Sequence, residues 1–175
     1  MNTAPDEKRI QTDGSLEAAE RERLEHLITF RLQREWFALR VEEIREVVQR
    51  APLTAVPNAP EHILGIMNLR GKVLTVFDLD SLLGLSSPLE KERSQVLILS
   101  LPDPEIDLGF LVDQVAQIRE ISPDHLRGLS ASSATGERKG AYYRGALYFG
   151  GAVINVLNPI PVISSLVPEL EEVSG

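Results

Sequence analysis

From Leu27 to Leu157 the chain is cut into short apolar runs by glycine, proline and charged pairs. Runs of this length, bounded by turn residues, suit strands and leave little room for long helices. Leu27–Leu32 and Trp36–Leu39 flank Gln33-Arg34-Glu35 and read as a hairpin. Val41–Val48 mixes charged and apolar residues, so helix and strand compete there. Pro52, Pro57 and Pro60 then impose a loop, because each fixes φ and lacks a backbone donor. Asn58 is placed to cap one helical turn around Glu61-His62-Ile63. Gly65–Leu69 and Lys72–Leu79 read as strands joined by a turn at Arg70-Gly71, and Asp80–Leu85 as a short helix capped by Asp80 and stopped at Gly84.

Further strands are expected at Gln95–Leu101, Leu108–Asp113 and Val115–Ile121. Tyr142–Phe149 and Ala152–Leu157 flank Gly150-Gly151, a pair able to take the positive φ angles of a tight hairpin. Pro159 and Pro161 end that strand, and a short helix over Val162–Leu170 follows. Eight or nine short strands with few helices predict a mainly β chain, a barrel or a sandwich in place of a βαβ sheet. No repeat is evident in the sequence.

The ends differ in texture. Residues 1–26 form an arm, disordered to Gly14, with Ser15–Glu25 either a short helix or solvated. Residues 27–167 make one domain, and 168–175 an acidic tail. The net charge is −8, from 18 basic and 26 acidic residues, and much of it sits at those ends. No cluster of Lys and Arg offers a face for phosphate, which excludes nucleic acid as the expected partner. No apolar stretch approaches the roughly 20 residues of a membrane span, so no membrane insertion is expected. The acidic start does not resemble a signal peptide.

Candidates for chemistry are few. The chain has no cysteine, which removes disulfides, thiolate metal sites and a thiol nucleophile. His26, His62 and His125 form no metal-binding pair, and no phosphate loop or nucleophile elbow occurs, so neither metal nor cofactor is expected. Gly136–Gly140, inside a Ser- and Gly-rich stretch from Ser130, reads as a surface loop. Asp78 and Asp80 could pair in acid–base work or hold a cation, but Asp80 fits a helix cap better. Trp36 and Phe37 are read as core packing. The segment Pro57–Leu79 stands apart: Arg70 beside Gly71 at a hairpin tip is presented for bidentate contact with a carboxylate, or is simply solvated.

Ordered landmarks along the chain resemble the CheW-like adaptors of bacterial chemotaxis, from about Leu27 to Leu166. They are Phe30-x-Leu32 with Trp36-Phe37-Ala38-Leu39, Ile44-Arg45-Glu46-Val47, Val56-Pro57-Asn58-Ala59-Pro60, Gly65-Ile66-Met67-Asn68-Leu69-Arg70-Gly71, Val76-Phe77-Asp78-Leu79 before Leu82-Leu83-Gly84, and Gly109–Val115. The resemblance implies two small five-stranded SH3-like β-barrels on a shared core, with a few short helices, and no catalysis. It implies a cytoplasmic scaffold, recruited to membrane receptor arrays, that couples methyl-accepting chemoreceptors to a CheA-type histidine kinase. One surface would meet the kinase's regulatory domain, and a groove between barrels the receptor's hairpin tip. By motif position, Ile44, Glu46, Asn68 and Arg70 would fall in the partner-binding region, with Gly65 allowing close backbone approach beside them.

The chain departs from the pattern at Thr75, where the family carries proline, and at Asp80, where arginine is frequent. Asn158-Pro159-Ile160-Pro161 replaces the usual Leu-Leu-Asp ending. These changes favour a divergent member, serving a pilus-motility or other chemosensory array. The competing reading is a small-molecule-binding β-barrel sensor or enzyme built on Asp78, Asp80 and the 130–140 loop, which demands a polar pocket holding those carboxylates.

Overall fold

A computed structural model describes residues 24–85, 94–103, 106–127 and 140–173. The expected 130–140 loop and most of the N-terminal arm lie outside them. Ten strands occur among the described residues: β1 (Glu25–Leu32), β2 (Glu35–Arg40), β3 (Ile44–Gln49), β4 (Ile63–Leu69), β5 (Lys72–Asp78), β6 (Gln95–Leu99), β7 (Leu108–Val112), β8 (Gln114–Ile121), β9 (Tyr143–Phe149) and β10 (Ala152–Leu157). Two α-helices follow hairpins, α1 (Leu79–Leu83) and α2 (Pro159–Val173). Helix and strand both win in the ambiguous segment: Val41–Glu43 is a 3₁₀ turn and β3 follows it.

The strands form two five-stranded sheets, in the orders β8-β1-β2-β10-β9 and β3-β6-β7-β5-β4. The sheets correspond strand for strand. In the second, β5 runs parallel to β7 and antiparallel to β4; in the first, β10 runs parallel to β2 and antiparallel to β9. The first sheet is therefore a circular permutant of the second. The chain lays down β1 and β2, builds the whole second sheet, and returns for β8–β10.

This is a repeat that inspection of the sequence does not detect. Hairpins β4–β5 and β9–β10 share one pairing register at an offset of 80 residues. Gly65 and Gly145 both have positive φ, 140° and 158°. A Cβ at either would sit 2.5 Å from a backbone carbonyl oxygen, Thr54 O or Arg127 O. Those residues make the isolated bridges Thr54–Ile66 and Arg127–Ala146. The Asp78 N–H donates to His62 O at 2.8 Å, and the Asn158 N–H to Tyr142 O at 2.7 Å. Identity is too low to show the repeat in letters; shared backbone demands preserve it.

Strand alternation places side chains in three cores. Met67, Leu74 and Val76 pack inside the second sheet with Val96, Ile98 and Leu111. Their counterparts Leu147, Ile154 and Val156 pack inside the first with Leu27, Ala38 and Ile121. The opposite faces meet in a central cluster of Phe30, Phe37, Leu39, Phe77, Leu97 and Phe110, joined by Leu83 of α1 and Val162 and Leu166 of α2. The expected architecture, two five-stranded units on a shared core with few helices, is the one observed. Phe37 is core, as expected, whereas Trp36 is only half-buried beneath the Arg31 guanidinium.

Three local expectations need correction. Asn58 caps no helix: it has φ 58° in a turn, and Ile63 already begins β4. Pro159 and Pro161 do not delay the last helix but lie in its first turn, where the missing N–H has no intrahelical partner anyway. Asp80 is not a cap: Asp78 precedes α1, and Asp80 is a residue of the helix, 2% exposed.

Candidate functional site

The Arg70-Gly71 tip is built by local turn chemistry. Both residues have positive φ, 53° and 86°, the signature of the turn whose twist suits a two-residue hairpin. The Asn68 side-chain oxygen accepts the Gly71 N–H at 2.9 Å, which steadies the reversal. Gly71 is the natural occupant; Arg70 tolerates the conformation at some cost, which marks the position as one where the side chain matters.

The Arg70 guanidinium does not float in solvent. Its two terminal nitrogens donate to the two Glu46 carboxylate oxygens at 2.6 and 3.2 Å, a fork-on-fork contact. Glu46 lies on β3 and Arg70 at the end of β4, the two edge strands of the second sheet. The pair thus draws those edges together at one corner. Arg70 remains 77% exposed, so the pair keeps a face open to a partner.

A hollow of about 450 Å³ adjoins it, lined by Arg45, Glu46, Leu69, Arg70, Lys72 and Leu74, with Asp107. Arg45 pairs with Asp107, whose carboxylate is nearly buried. Arg45 itself falls where the β3–β6 register slips, between Ile44 and Glu46, so a bulge turns it toward the hollow. The site therefore combines alternating charges over a Leu69–Leu74 floor. Of the residues named from sequence, Glu46, Asn68 and Arg70 come together here. Gly65 sits farther along β4, against the Thr54 backbone, where its lack of a Cβ permits the close approach expected of it. Ile44 is half-buried and packs on the central core.

Sequence reasoning missed the matching corner of the first sheet. There Arg119 of β8 lies over the Phe149 ring of β9, 3.9 Å from its centroid. Again two edge strands are stitched, here by a cation–π contact. Around it Tyr148 is 78% exposed, and Ile118, Phe149 and Val153 are largely exposed. A hollow of about 230 Å³ opens between Trp36, Gln117, Arg119 and Phe149. The aromatics before Gly150-Gly151 were the available signal. A second missed feature is a clamp where the chain first crosses between sheets. Arg144 donates to both Glu43 oxygens, at 3.0 and 2.5 Å, and to the Leu157 carbonyl at 2.9 Å.

Among the described residues the rival acid site does not take shape, and most of the 130–140 loop it also calls on lies outside them. Burial drives the Asp80 carboxyl up to about 6; Asp78 and Asp113 add to the rise and a hydrogen bond from Gln33 opposes it. None of the hollows described here is lined by Asp78 or Asp80; the third, of about 370 Å³, lies against Glu25, His26 and Arg40. Among the described residues, no group of His, Asp and Glu is arranged to hold a metal.

Comparison with known proteins agrees with this picture. The CheW-like domain family matches residues 26–167. The "Probable chemotaxis protein CheW" of Rhizobium etli is 33% identical over 121 residues, covering 69% of this chain and 76% of that one. The "Chemotaxis protein CheW" of Thermotoga maritima is 28% identical over 112 residues, 64% of this chain and 72% of that protein. The crystal structure of the scaffolding protein TtCheW from Thermoanaerobacter tengcongensis superposes with a TM-score of 0.68 at 25% identity, covering 77% of this chain and 84% of that one.

Proposed function

Because this chain belongs to the CheW-like domain family, we propose that it holds chemoreceptors to a CheA-type histidine kinase through the corner built by Glu46 and Arg70. The chain is a non-catalytic scaffold of chemotaxis-type signalling, not an enzyme. What remains to be assigned is the surface and the partner each surface meets. The carrying observation is the exposed, bidentate Arg70–Glu46 pair beside an apolar-floored hollow. Such a pair is pre-organised: little side-chain freedom is left to lose when a partner docks. Its charges select partners and speed encounter.

We assign Ile44, Glu46, Gly65, Asn68 and Arg70 to this partner-binding region. Glu46 and Arg70 make contact, Asn68 and Gly65 hold the strand and turn that present them, and Ile44 anchors β3 to the core. The unit is the stretch 27–167, and its place is the cytoplasm, at membrane receptor arrays. Among the described residues, no helix is long and apolar enough to cross a membrane.

The test is binding of the purified protein to the regulatory domain of its cognate kinase and to receptor signalling tips. Arg70→Glu should keep the native circular dichroism and weaken one of the two interactions at least tenfold, about 1.4 kcal/mol. Undiminished binding of both partners by the folded variant would sink the assignment. The double exchange Glu46→Arg with Arg70→Glu separates two roles. If it restores binding, the pair acts as a strut; if it does not, Arg70 touches the partner.

A further inference from the structure

The chain crosses between its two sheets twice in succession, and each crossing carries a carboxylate that fixes a backbone amide. At the first, between β2 and β3, Glu43 accepts the Arg40 N–H at 3.0 Å. At the second, between β7 and β8, Asp113 accepts the Gln33 N–H from the β1–β2 turn, and its own N–H donates to Arg31 O at 3.1 Å. The two crossings occupy equivalent places in the permuted repeat.

Their charges are handled differently. Glu43 is neutralised by the Arg144 guanidinium. Asp113 has two further carboxylates for company, Asp78 at the end of β5 and Asp80 in α1. The Gln33 side chain donates to Asp80 Oδ1 at 2.9 Å, so the one turn residue is held by both acids. Asp80 is 2% exposed, and its Oδ2 has no hydrogen-bond partner. Neither has the buried Oδ1 of Asp78 or of Asp113. Three buried acceptor oxygens without a donor cannot all be left so; one proton on Asp80 turns an acceptor into a donor and satisfies a second oxygen at once.

Among the described residues, the charged groups nearby are engaged in other contacts. Arg31, at the end of β1, stacks on Trp36 and donates to the Gln33 carbonyl. Arg34 and Glu35 beside the turn are exposed, and Glu35 acts on Tyr143. His62, ahead of β4, stacks on Phe77 and receives the Asp78 N–H at its carbonyl. On β7 itself, Leu108–Val112 carries no charge.

We propose that the second crossing is a proton-operated latch: Asp80 is held as a neutral acid that donates from Oδ2 to the bare carboxylate oxygen of Asp113 or Asp78, and losing that proton to solvent frees the Gln33 turn. With the proton in place, the β1–β2 turn of one sheet is tied to α1 and the β7–β8 junction of the other. Without it, repulsion among the buried carboxylates outweighs the stronger hydrogen bond that an ionised Asp80 accepts from the Gln33 side chain. The latch makes the seating of the two sheets depend on pH, while the Arg144–Glu43 crossing stays closed.

Two measurements test it on the full chain. Carbon-13 carboxyl NMR, with Asp80 assigned by comparison with Asp80→Asn, reads the proton directly. Titration well above the ordinary carboxylate range supports the latch; titration near 4, the ordinary aspartate value, overturns it. Amide exchange reads the release. Protection of the Gln33 and Asp113 amides should fall about tenfold between about pH 5 and 8 beyond the intrinsic rise in exchange, while that of Arg40 does not. Asp80→Asn, which imitates the protonated acid, should keep Gln33 protected throughout. Equal behaviour of Gln33 and Arg40 in the wild type would overturn the release. If the variant does not fold, the wild-type titration and the Gln33–Arg40 contrast still decide.

Discussion

Hairpins β4–β5 and β9–β10 are the same object built twice, and they differ at their tips. One ends in Arg70-Gly71, tied to Glu46 by an ion pair; the other ends in Gly150-Gly151, with Phe149 tied to Arg119 by its ring. The interior positions agree in kind, Met67 with Leu147, Leu74 with Ile154 and Val76 with Val156. What the backbone requires is therefore held, while the surface is free to diverge. Two similar corners have become a charged surface and an apolar one, which suits a protein whose work is to meet different partners. The likeness stops where the strands stop. Asp80 is buried, but its counterpart Ile160 is 65% exposed, because the helices that follow differ in length and seating.

The largest effect expected tests the equivalence itself. Gly65→Ala and Gly145→Ala should each cost roughly 2–4 kcal/mol in urea unfolding, from strained φ and a Cβ driven against a carbonyl oxygen that cannot move cheaply. A large cost at one glycine and less than about 0.5 kcal/mol at the other would break the comparison.

Next comes the contrast between buried and exposed ion pairs. Arg144 and Glu43 are only 18% and 14% exposed, so Arg144→Met should cost about 2–3 kcal/mol by leaving Glu43 uncompensated, with only the Arg40 N–H as donor, and by removing a donor from the Leu157 carbonyl. A smaller effect concerns pH. Asp80 has a folded value of about 6 against an ordinary 3.8, so the folded state binds the extra proton. Its stabilising contribution is full below about pH 4 and is lost as pH rises through about 6. Between about pH 5 and 8 this is worth on the order of 1 kcal/mol, and Asp80→Asn should flatten that part of the stability profile. The smallest change in stability belongs to the corner proposed for partner binding. Arg70→Ala should alter unfolding by less than about 1 kcal/mol, as exposed pairs do, while partner binding falls much further. A loss of several kcal/mol would recast the pair as structural.

Much of the fold was legible because its signals are local. Arg70-Gly71 and Gly150-Gly151 announce two-residue turns, Gly84 ends α1 in a left-handed cap at φ 75°, and the prolines from Pro52 to Pro60 keep that stretch out of the sheet ladders save for the single bridge at Thr54. The helix after β10 is legible but longer than the sequence suggests, since Pro159 and Pro161 look like breakers yet are tolerated in a first turn. The candidate corner was half legible. Arg70 stood out by its turn, and the ordered motifs pointed to Glu46, but nothing in either segment says that the two side chains meet.

Sequence alone determined the mainly β character, the hairpins and their tips, the absence of thiol chemistry and the family. Each of these is written within a few residues, or in residue types that do not need a partner to be recognised. Tertiary structure decided the rest: that the first sheet is a permuted copy of the second, that edge strands close over Arg70–Glu46 in one and Arg119–Phe149 in the other, and that Asp80 is buried among acids instead of capping a helix. These depend on contacts across tens of residues. A carboxylate's role there is set by which strand ends the folded chain brings beside it, and by whether they carry a guanidinium or another acid.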